Sequence, residues 1–254
     1  MDILQALLLG LVQGFTEWLP ISSSGHLVIA HTLLNIPSNA AFDIVLMIGT
    51  IAALLIYFRE KIIWLLKGII SREKGAVHYV LLLVLAGIPT GIIGFAGKKF
   101  FEGLFAMPFL VSIFIFITGL FLFLASRAKN ASKPITTTSA FAVGIAQGIA
   151  VAPGISRSGS TIGTALLLGV EPKAAAEFSF IVGIPAMIVA SLLEFQGMGG
   201  VGSSALAIGL LASFAAGYAS IGFFMEILKR GKLAWFAYYC LAAGIAFALL
   251  TYGR

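Results

Sequence analysis

Six continuous apolar runs constrain this chain more than anything else: residues 40–58, 76–96, 106–126, 174–195, 203–228 and 233–251. A helix rising about 1.5 Å per residue needs about 20 such residues to cross a hydrocarbon core of roughly 30 Å. Membrane β-strands alternate apolar and polar positions over about 10 residues. Runs such as Ile44–Phe58 and Met107–Ala125 are unbroken instead, so the spans are helical. Composition agrees. The 254 residues are 60% hydrophobic and 10% charged, against about 25% charged in soluble domains, and mean hydropathy is +1.07. The chain reads as an all-α integral membrane protein, one polytopic membrane domain over residues 1–254.

Two further stretches, 2–34 and 139–168, are apolar but broken in the middle by polar strings. One runs from Gln13 to His26 and the other from Pro153 to Thr161. The leading helical parts, near 2–15 and 139–151, have about 13 residues each and reach only about 20 Å. A single shift of 134 residues superposes Gln13-Gly14 on Gln147-Gly148, Ser22 on Ser156, Ser24 on Ser158 and Gly25 on Gly159. The two copies differ at Glu17 against Val151, Ser23 against Arg157 and His26 against Ser160.

Basic loops give the topology. Arg59, Lys61, Lys67, Arg72 and Lys74 form one cluster, Arg127, Lys129 and Lys133 a second, and Lys229, Arg230 and Lys232 a third. All three are assigned to the cytoplasm. Stretch 139–168 must then cross an even number of times, which a re-entrant hairpin satisfies, and symmetry makes 2–34 re-entrant too. Each half becomes one broken hairpin plus three spans, giving inverted repeats over about 1–133 and 134–254. Lys98 and Lys99 alone fall on the wrong side. Such repeats bring broken helices together near the midplane around a polar cavity. The net charge of +6 therefore speaks of topology and anionic lipid rather than nucleic acid. Cys240 is the single cysteine and cannot form an intrachain disulfide. The N-terminus lacks a basic region, so no cleavable signal is expected. Gly209, Ala212, Ala216 and Gly217 form a small-residue face suited to packing within one chain or across a homodimer.

Ionisable residues inside a membrane are functional candidates by default. Closely spaced hydroxyls and glycine-permitted backbone N–H groups suit a tetrahedral anion at a helix start. Gln13, Ser22, Ser24, Gly25, Ser156, Ser158, Gly159 and Thr161 are accordingly the substrate-binding candidates. Arg157 adds a positive fork for phosphate oxygens, the alternative being a structural ion pair with Glu17. Glu17 could ligate a divalent cation or act as a base, and His26 could orient, donate a proton or attack. Asp43, Glu177 and Glu194 lie near span ends, Glu177 being the best supporting candidate, and His31 and His78 are read as interfacial. Gly87, Pro89, Gly91, Gly183 and Pro185 mark kinks and close packing. The rival reading is a transporter or flippase of a phosphorylated lipid or solute. A nucleophile, carboxylate and histidine on one copy with the clamp on the other favours an enzyme.

At these strings the sequence resembles the undecaprenyl-diphosphate phosphatases, the bacitracin-resistance membrane family. Gln13 to Glu17 matches one motif, Pro20 to His26 the stretch after it, and Pro153, Gly154, Ser156, Arg157, Ser158 and Thr161 the second motif in full. The resemblance covers the full length and the order of the apolar runs. It implies removal of the terminal phosphate from a C55 isoprenyl diphosphate, recycling the carrier lipid for cell-wall synthesis. It also implies a multi-pass protein of the plasma membrane with an extracytoplasmic site and a divalent cation, Mg2+ or Ca2+. Carried over by position, Glu17, Ser23, His26 and Arg157 form the catalytic set, with Arg157 the phosphate clamp and Glu17 the metal or proton-handling carboxylate. Ser23, His26 and water all remain open as the attacking group. Gln13 is within the pattern, though an amide is a weaker metal ligand than glutamate.

Overall fold

Asp2, Ser22, Asn39, Thr136 and Ser156 each start a helix by accepting a backbone N–H, in a computed structural model that describes residues 1–128, 131–194 and 201–252. Lys129 of the second basic cluster and the end of the run 174–195 lie outside them, as does the side chain of Glu194. In chain order the helices are α1 (Ile3–Trp18), α2 (Ser23–Leu34), α3 (Ala40–Tyr57), α4 (Arg59–Ile70), α5 (Lys74–Ala96) and α6 (Lys98–Leu104). They continue with α7 (Pro108–Ala125), α8 (Thr137–Ile149), α9 (Arg157–Leu167), α10 (Pro172–Glu194), α11 (Ser203–Lys229) and α12 (Ala234–Thr251). Six of them, α3, α5, α7, α10, α11 and α12, are long and apolar enough to span a bilayer, and they coincide with the six runs read from the sequence.

The broken stretches repeat each other in detail. Asp2 and Gln5 form a capping box at the start of α1, and Thr136 and Ser139, each 134 residues on, form one at the start of α8. Ser22 caps α2 by accepting from the Gly25 N–H at 3.3 Å, and Ser156 caps α9 by accepting from Gly159 at 3.0 Å. The second hairpin closes on itself: Lys133 N–H donates to Gly169 and Glu171 N–H to Lys133 at its base. Lys133 and Val170 form an isolated bridge there, outside any named strand. At the base of the first, Ala6, Leu9, Leu27, Ile36, Phe42, Leu46 and Ala205 form a separate apolar cluster.

Each hairpin lies against a long helix of the other half, running the same way. Gly10 abuts Gly209 and Ala212 of α11, and Gly14 abuts Ala216 and Gly217. On the other side Gly144 abuts Ala86 and Pro89 of α5, and Gly148 abuts Ile93. The small-residue face of α11 is thus filled by α1 within the chain. A Cβ on Gly144 would run into the Ala86 carbonyl, a backbone atom that cannot swing aside. Gly144→Val is therefore expected to cost about 1–3 kcal/mol, read as a lower melting temperature in detergent. Gly87 and Gly91 carry no such contact.

The helices α7 and α12 pack antiparallel, with Gly119 against Ala237 and Leu241 and Gly244 against Phe116. The largest core cluster includes Trp18, Phe178, Phe180, Phe224 and Phe236. Outward positions such as Ile92, Phe95, Leu211 and Leu249 are exposed, as a lipid-facing surface requires. The first basic cluster is largely helical rather than loop: α4 buries Leu65 and Gly68 and carries Lys61 and Lys67. His78 is exposed on α5. His31 is buried, with Nδ1 3.1 Å from the Ile36 carbonyl and Nε2 3.5 Å from Asp43 in the first turn of α3.

Candidate active site

The two hairpin tips interlock. Ser158 Oγ on α9 donates to the Leu19 carbonyl of the first tip at 3.0 Å. Thr118 of α7 holds the second tip, accepting from the Ser156 N–H at 3.1 Å and donating to the Gly154 carbonyl at 3.1 Å. Helices α2 and α9 therefore both start at the interlocked tips, and their first-turn N–H groups and dipoles favour negative charge there.

Glu17 is the hub of that junction. It does not sit in a loop, because α1 continues through it to Trp18. Gln13, one turn earlier on the same face, donates Nε2–H to Glu17 Oε2 at 3.0 Å. Ser23 Oγ donates to the same oxygen at 2.5 Å. From the other half, Arg157 Nη2 donates to Glu17 Oε1 at 2.7 Å. The side chains are 9% exposed for Glu17 and 15% for Arg157, so the pair is well shielded from solvent. One carboxylate thus joins the two positions at which the repeats diverged most usefully, Ser23 and Arg157.

The guanidinium is packed closely. Its carbon lies 5.1 Å from the Trp18 ring centroid, and Trp18 packs edge-on against Phe180 at 5.4 Å. Met187 Sδ is 3.1 Å from Nη2. Gly183 on α10 gives the group its room: a Cβ there would lie 2.6 Å from Nη1. Nη1 itself is buried without a hydrogen-bond partner, an expensive condition for a charged donor. It is the natural seat for an anionic oxygen.

The remaining hydroxyls build the frame. Ser22 and Ser156 are buried and spend Oγ on their caps, while Ser158 bridges the tips. Thr161 Oγ1 lies 2.8 Å from the Arg157 carbonyl and 2.5 Å from Ser179 Oγ of α10. Ser24 is half-buried, 3.5 Å from Ser22. Gly25 packs closely on Gly154 and Ile115. His26 is turned elsewhere. Its Nδ1 is 2.7 Å from the Ser22 carbonyl and its Nε2 is 2.8 Å from the hydroxyl of Tyr239 on α12. Neither nitrogen bonds to Glu17, Ser23 or Arg157. Glu177 pairs with Lys61 at 3.8 Å, far along α10 from Met187.

Among the described residues no group of three His, Cys, Asp or Glu side chains converges on a metal position. The donor set still fits one kind of ion. A hard cation such as Mg2+ keeps several waters and takes one or two carboxylates together with substrate phosphates, and Glu17 is the carboxylate at hand.

Tyr239, Met187 and Thr118 carried no signal, each being a single residue in an apolar run. Trp18 lies inside the first string but the sequence assigns it no role there, and Gly183 reads only as a kink or packing glycine.

Fold and site define a multi-pass helical membrane protein whose buried polar centre is shared between two broken-helix tips. The chain belongs to the family described as bacitracin resistance protein BacA, whose model matches residues 6–246. It is similar to an undecaprenyl-diphosphatase of Carboxydothermus hydrogenoformans, 41% identical over 98% of both chains. Undecaprenyl-diphosphatases of Methanosphaera stadtmanae (40% identical, 99% of both chains) and Bacteroides thetaiotaomicron (38%, 97% of this chain and 98% of the relative) are similar over their full lengths.

Proposed function

We propose that this chain hydrolyses undecaprenyl diphosphate to undecaprenyl phosphate and inorganic phosphate, recycling the carrier lipid, with bacitracin resistance as the family's associated property. The observation that carries the reading is Glu17, which holds a serine hydroxyl from one tip and a guanidinium from the other. A transporter needs binding groups; it does not need a hydroxyl donating at 2.5 Å to a buried carboxylate.

Breaking a phosphoanhydride chiefly requires placing the phosphoryl group and stabilising charge on its oxygens. The terminal phosphate enters between the starts of α2 and α9, where Arg157 Nη1 meets one of its oxygens. Ser23 Oγ attacks phosphorus while its proton passes to Glu17 Oε2, and the bond to the leaving lipid phosphate breaks. Water then attacks the phosphoserine, phosphate leaves, and Glu17 returns the proton to Ser23. Of the two side chains that could attack, Ser23 is favoured over His26 because it is the one that touches Glu17. A divalent cation, Mg2+ or Ca2+, would be held by Glu17 together with the diphosphate and would supply neutralisation of its charge.

The topology belongs to the same proposal. Helix α1 runs alongside α11 toward the basic residues Lys229 and Arg230, and α8 runs alongside α5, which begins at the basic Lys74. The first hairpin therefore enters from the face opposite the basic loops and the second from the basic face, as inverted repeats 1–133 and 134–254 require. By the charge rule, α1 and α2 open to the extracytoplasmic side of the plasma membrane.

The test is phosphate release from undecaprenyl diphosphate by purified protein in detergent, with and without a chelator. Release that a chelator abolishes and added Mg2+ or Ca2+ restores is the expected result. Retained lipid binding without any release would overturn the phosphatase reading in favour of the transporter.

A further inference from the structure

Tyr239 lies on α12, outside both polar strings and outside every motif in the sequence. Its hydroxyl nevertheless sits 2.8 Å from His26 Nε2, and the two rings stack at 5.7 Å between centroids with 13° between planes. Phe247, two turns further along α12, packs edge-on against the other side of the imidazole at 5.6 Å. The histidine is thus clamped by one helix of the second half while belonging to a helix of the first.

The ring's other nitrogen decides its tautomer. Nδ1 is 2.7 Å from the Ser22 carbonyl, which can only accept, so Nδ1 carries a proton. That leaves Nε2 of the neutral ring as an acceptor, and the Tyr239 hydroxyl donates to it. Ser22 is held at φ +70°, a left-handed conformation that costs a non-glycine residue about 1–3 kcal/mol. In that conformation its carbonyl receives both the His26 backbone N–H, at 3.1 Å, and Nδ1–H. The strain is spent on fixing the imidazole. His26 is 8% exposed and Tyr239 45%, so the tyrosine is the outward member of the pair and its hydroxyl points inward onto the imidazole.

We propose that Tyr239 is a positioning residue for the phosphatase reaction: it holds His26 in the Nδ1–H tautomer and connects Nε2 to the substrate side. The inference rests on the phosphatase reading above. A proton arriving at the Tyr239 oxygen from water or a phosphate is matched by the hydroxyl's own proton passing to Nε2, and the reverse movement releases it. Between the two movements the pair holds one extra proton, carried as the His26 imidazolium with Nε2–H donating to the Tyr239 oxygen, and neither ring gives up its partner. His26 is consequently a proton-handling group reached through Tyr239, and not the atom that attacks phosphorus, because both of its nitrogens are filled.

Tyr239→Phe keeps the stacked ring and removes only the hydroxyl. The expected result is a fall of about ten- to a hundredfold in kcat, with KM for undecaprenyl diphosphate within about twofold of the parent. His26→Asn alone and with Tyr239→Phe should lose the same amount, since the two act as one unit. Nitrogen-15 NMR of the histidine ring, assigned with His26→Asn, reads the pair without reference to activity. The parent should show a protonated Nδ1 and a hydrogen-bonded Nε2, and Tyr239→Phe should shift Nε2 to the position of a free acceptor. Unchanged kcat in Tyr239→Phe, an unmoved Nε2 signal, or losses that multiply in the double variant would each overturn the assignment. A parent protein with the paired Nε2 signal but no phosphate release would instead overturn the phosphatase reading and, with it, the catalytic role of the pair.

Discussion

Arg157→Lys is expected to lower kcat/KM for undecaprenyl diphosphate by about 10²- to 10³-fold while leaving the protein folded. The guanidinium does two things at once: Nη2 donates to Glu17 at 2.7 Å, and Nη1 stands buried without a partner, a donor that a bound phosphate oxygen would satisfy. Both depend on a rigid plane, which the Trp18 ring at 5.1 Å and Met187 at 3.1 Å fix from the sides. A lysine ammonium is a compact point charge on a flexible stem. It can neutralise Glu17, but it cannot also present a second donor in a set direction. Losing one oriented donor to a developing oxyanion costs about 10²- to 10³-fold in other hydrolases, which sets the expected size. Lysine is the right replacement because alanine would strand the Glu17 carboxylate, 9% exposed, without its cation. Breaking a buried pair in that way costs about 3–5 kcal/mol and would confuse misfolding with lost chemistry. Phosphate release and melting temperature measured together separate the two. A lysine variant with near-parental kcat/KM would remove Arg157 from phosphate binding and leave it the structural partner of Glu17.

The sequence made the outline of this site readable because hydrocarbon surroundings turn each polar residue into a costly exception. Glu17, Ser23 and Arg157 stood out on that ground, and the shift of 134 residues set Ser23 opposite Arg157 before any contact between the tips was visible. Ser22 and Ser156, read from the sequence only as substrate-binding candidates, also cap α2 and α9 by accepting the N–H of the glycine three residues on. What the sequence could not convey is the direction of each side chain. Ser158 and Thr161 look like anion ligands in a string, yet their hydroxyls reach the Leu19 and Arg157 carbonyls. His26 shares a ten-residue segment with Glu17 but points toward α12, because Ser22 and Tyr239 capture both its nitrogens. Groups contributed singly by spans have no periodic mark: Tyr239, Met187 and Thr118 acquire meaning only when α12, α10 and α7 are packed. The helix α4 was hidden for a related reason, its Arg59, Lys61 and Lys67 having been read as a loop.

Ser23→Ala separates the remaining mechanisms by the size of its effect. If Ser23 Oγ attacks phosphorus, its removal should lower kcat by at least about 10³-fold, because covalent catalysis is lost and Glu17 has no hydroxyl to deprotonate. If Glu17 activates a water directly, the serine only orients the carboxylate through one hydrogen bond. Such a bond contributes about 1 kcal/mol, and kcat should then fall by about tenfold or less. Structural collapse does not complicate the comparison: Ser23 is half-buried at the first position of α2, and the cap of that helix is made by Ser22. Gln13 and Arg157 continue to hold Glu17 in place at 3.0 and 2.7 Å. Rapid acid quenching adds a qualitative readout. The parent should yield a phosphorylated peptide containing Ser23, which the alanine variant lacks. A fall of about tenfold with no phosphopeptide in the parent would hand the attack to water, with Glu17 as its base and Arg157 unchanged as the clamp.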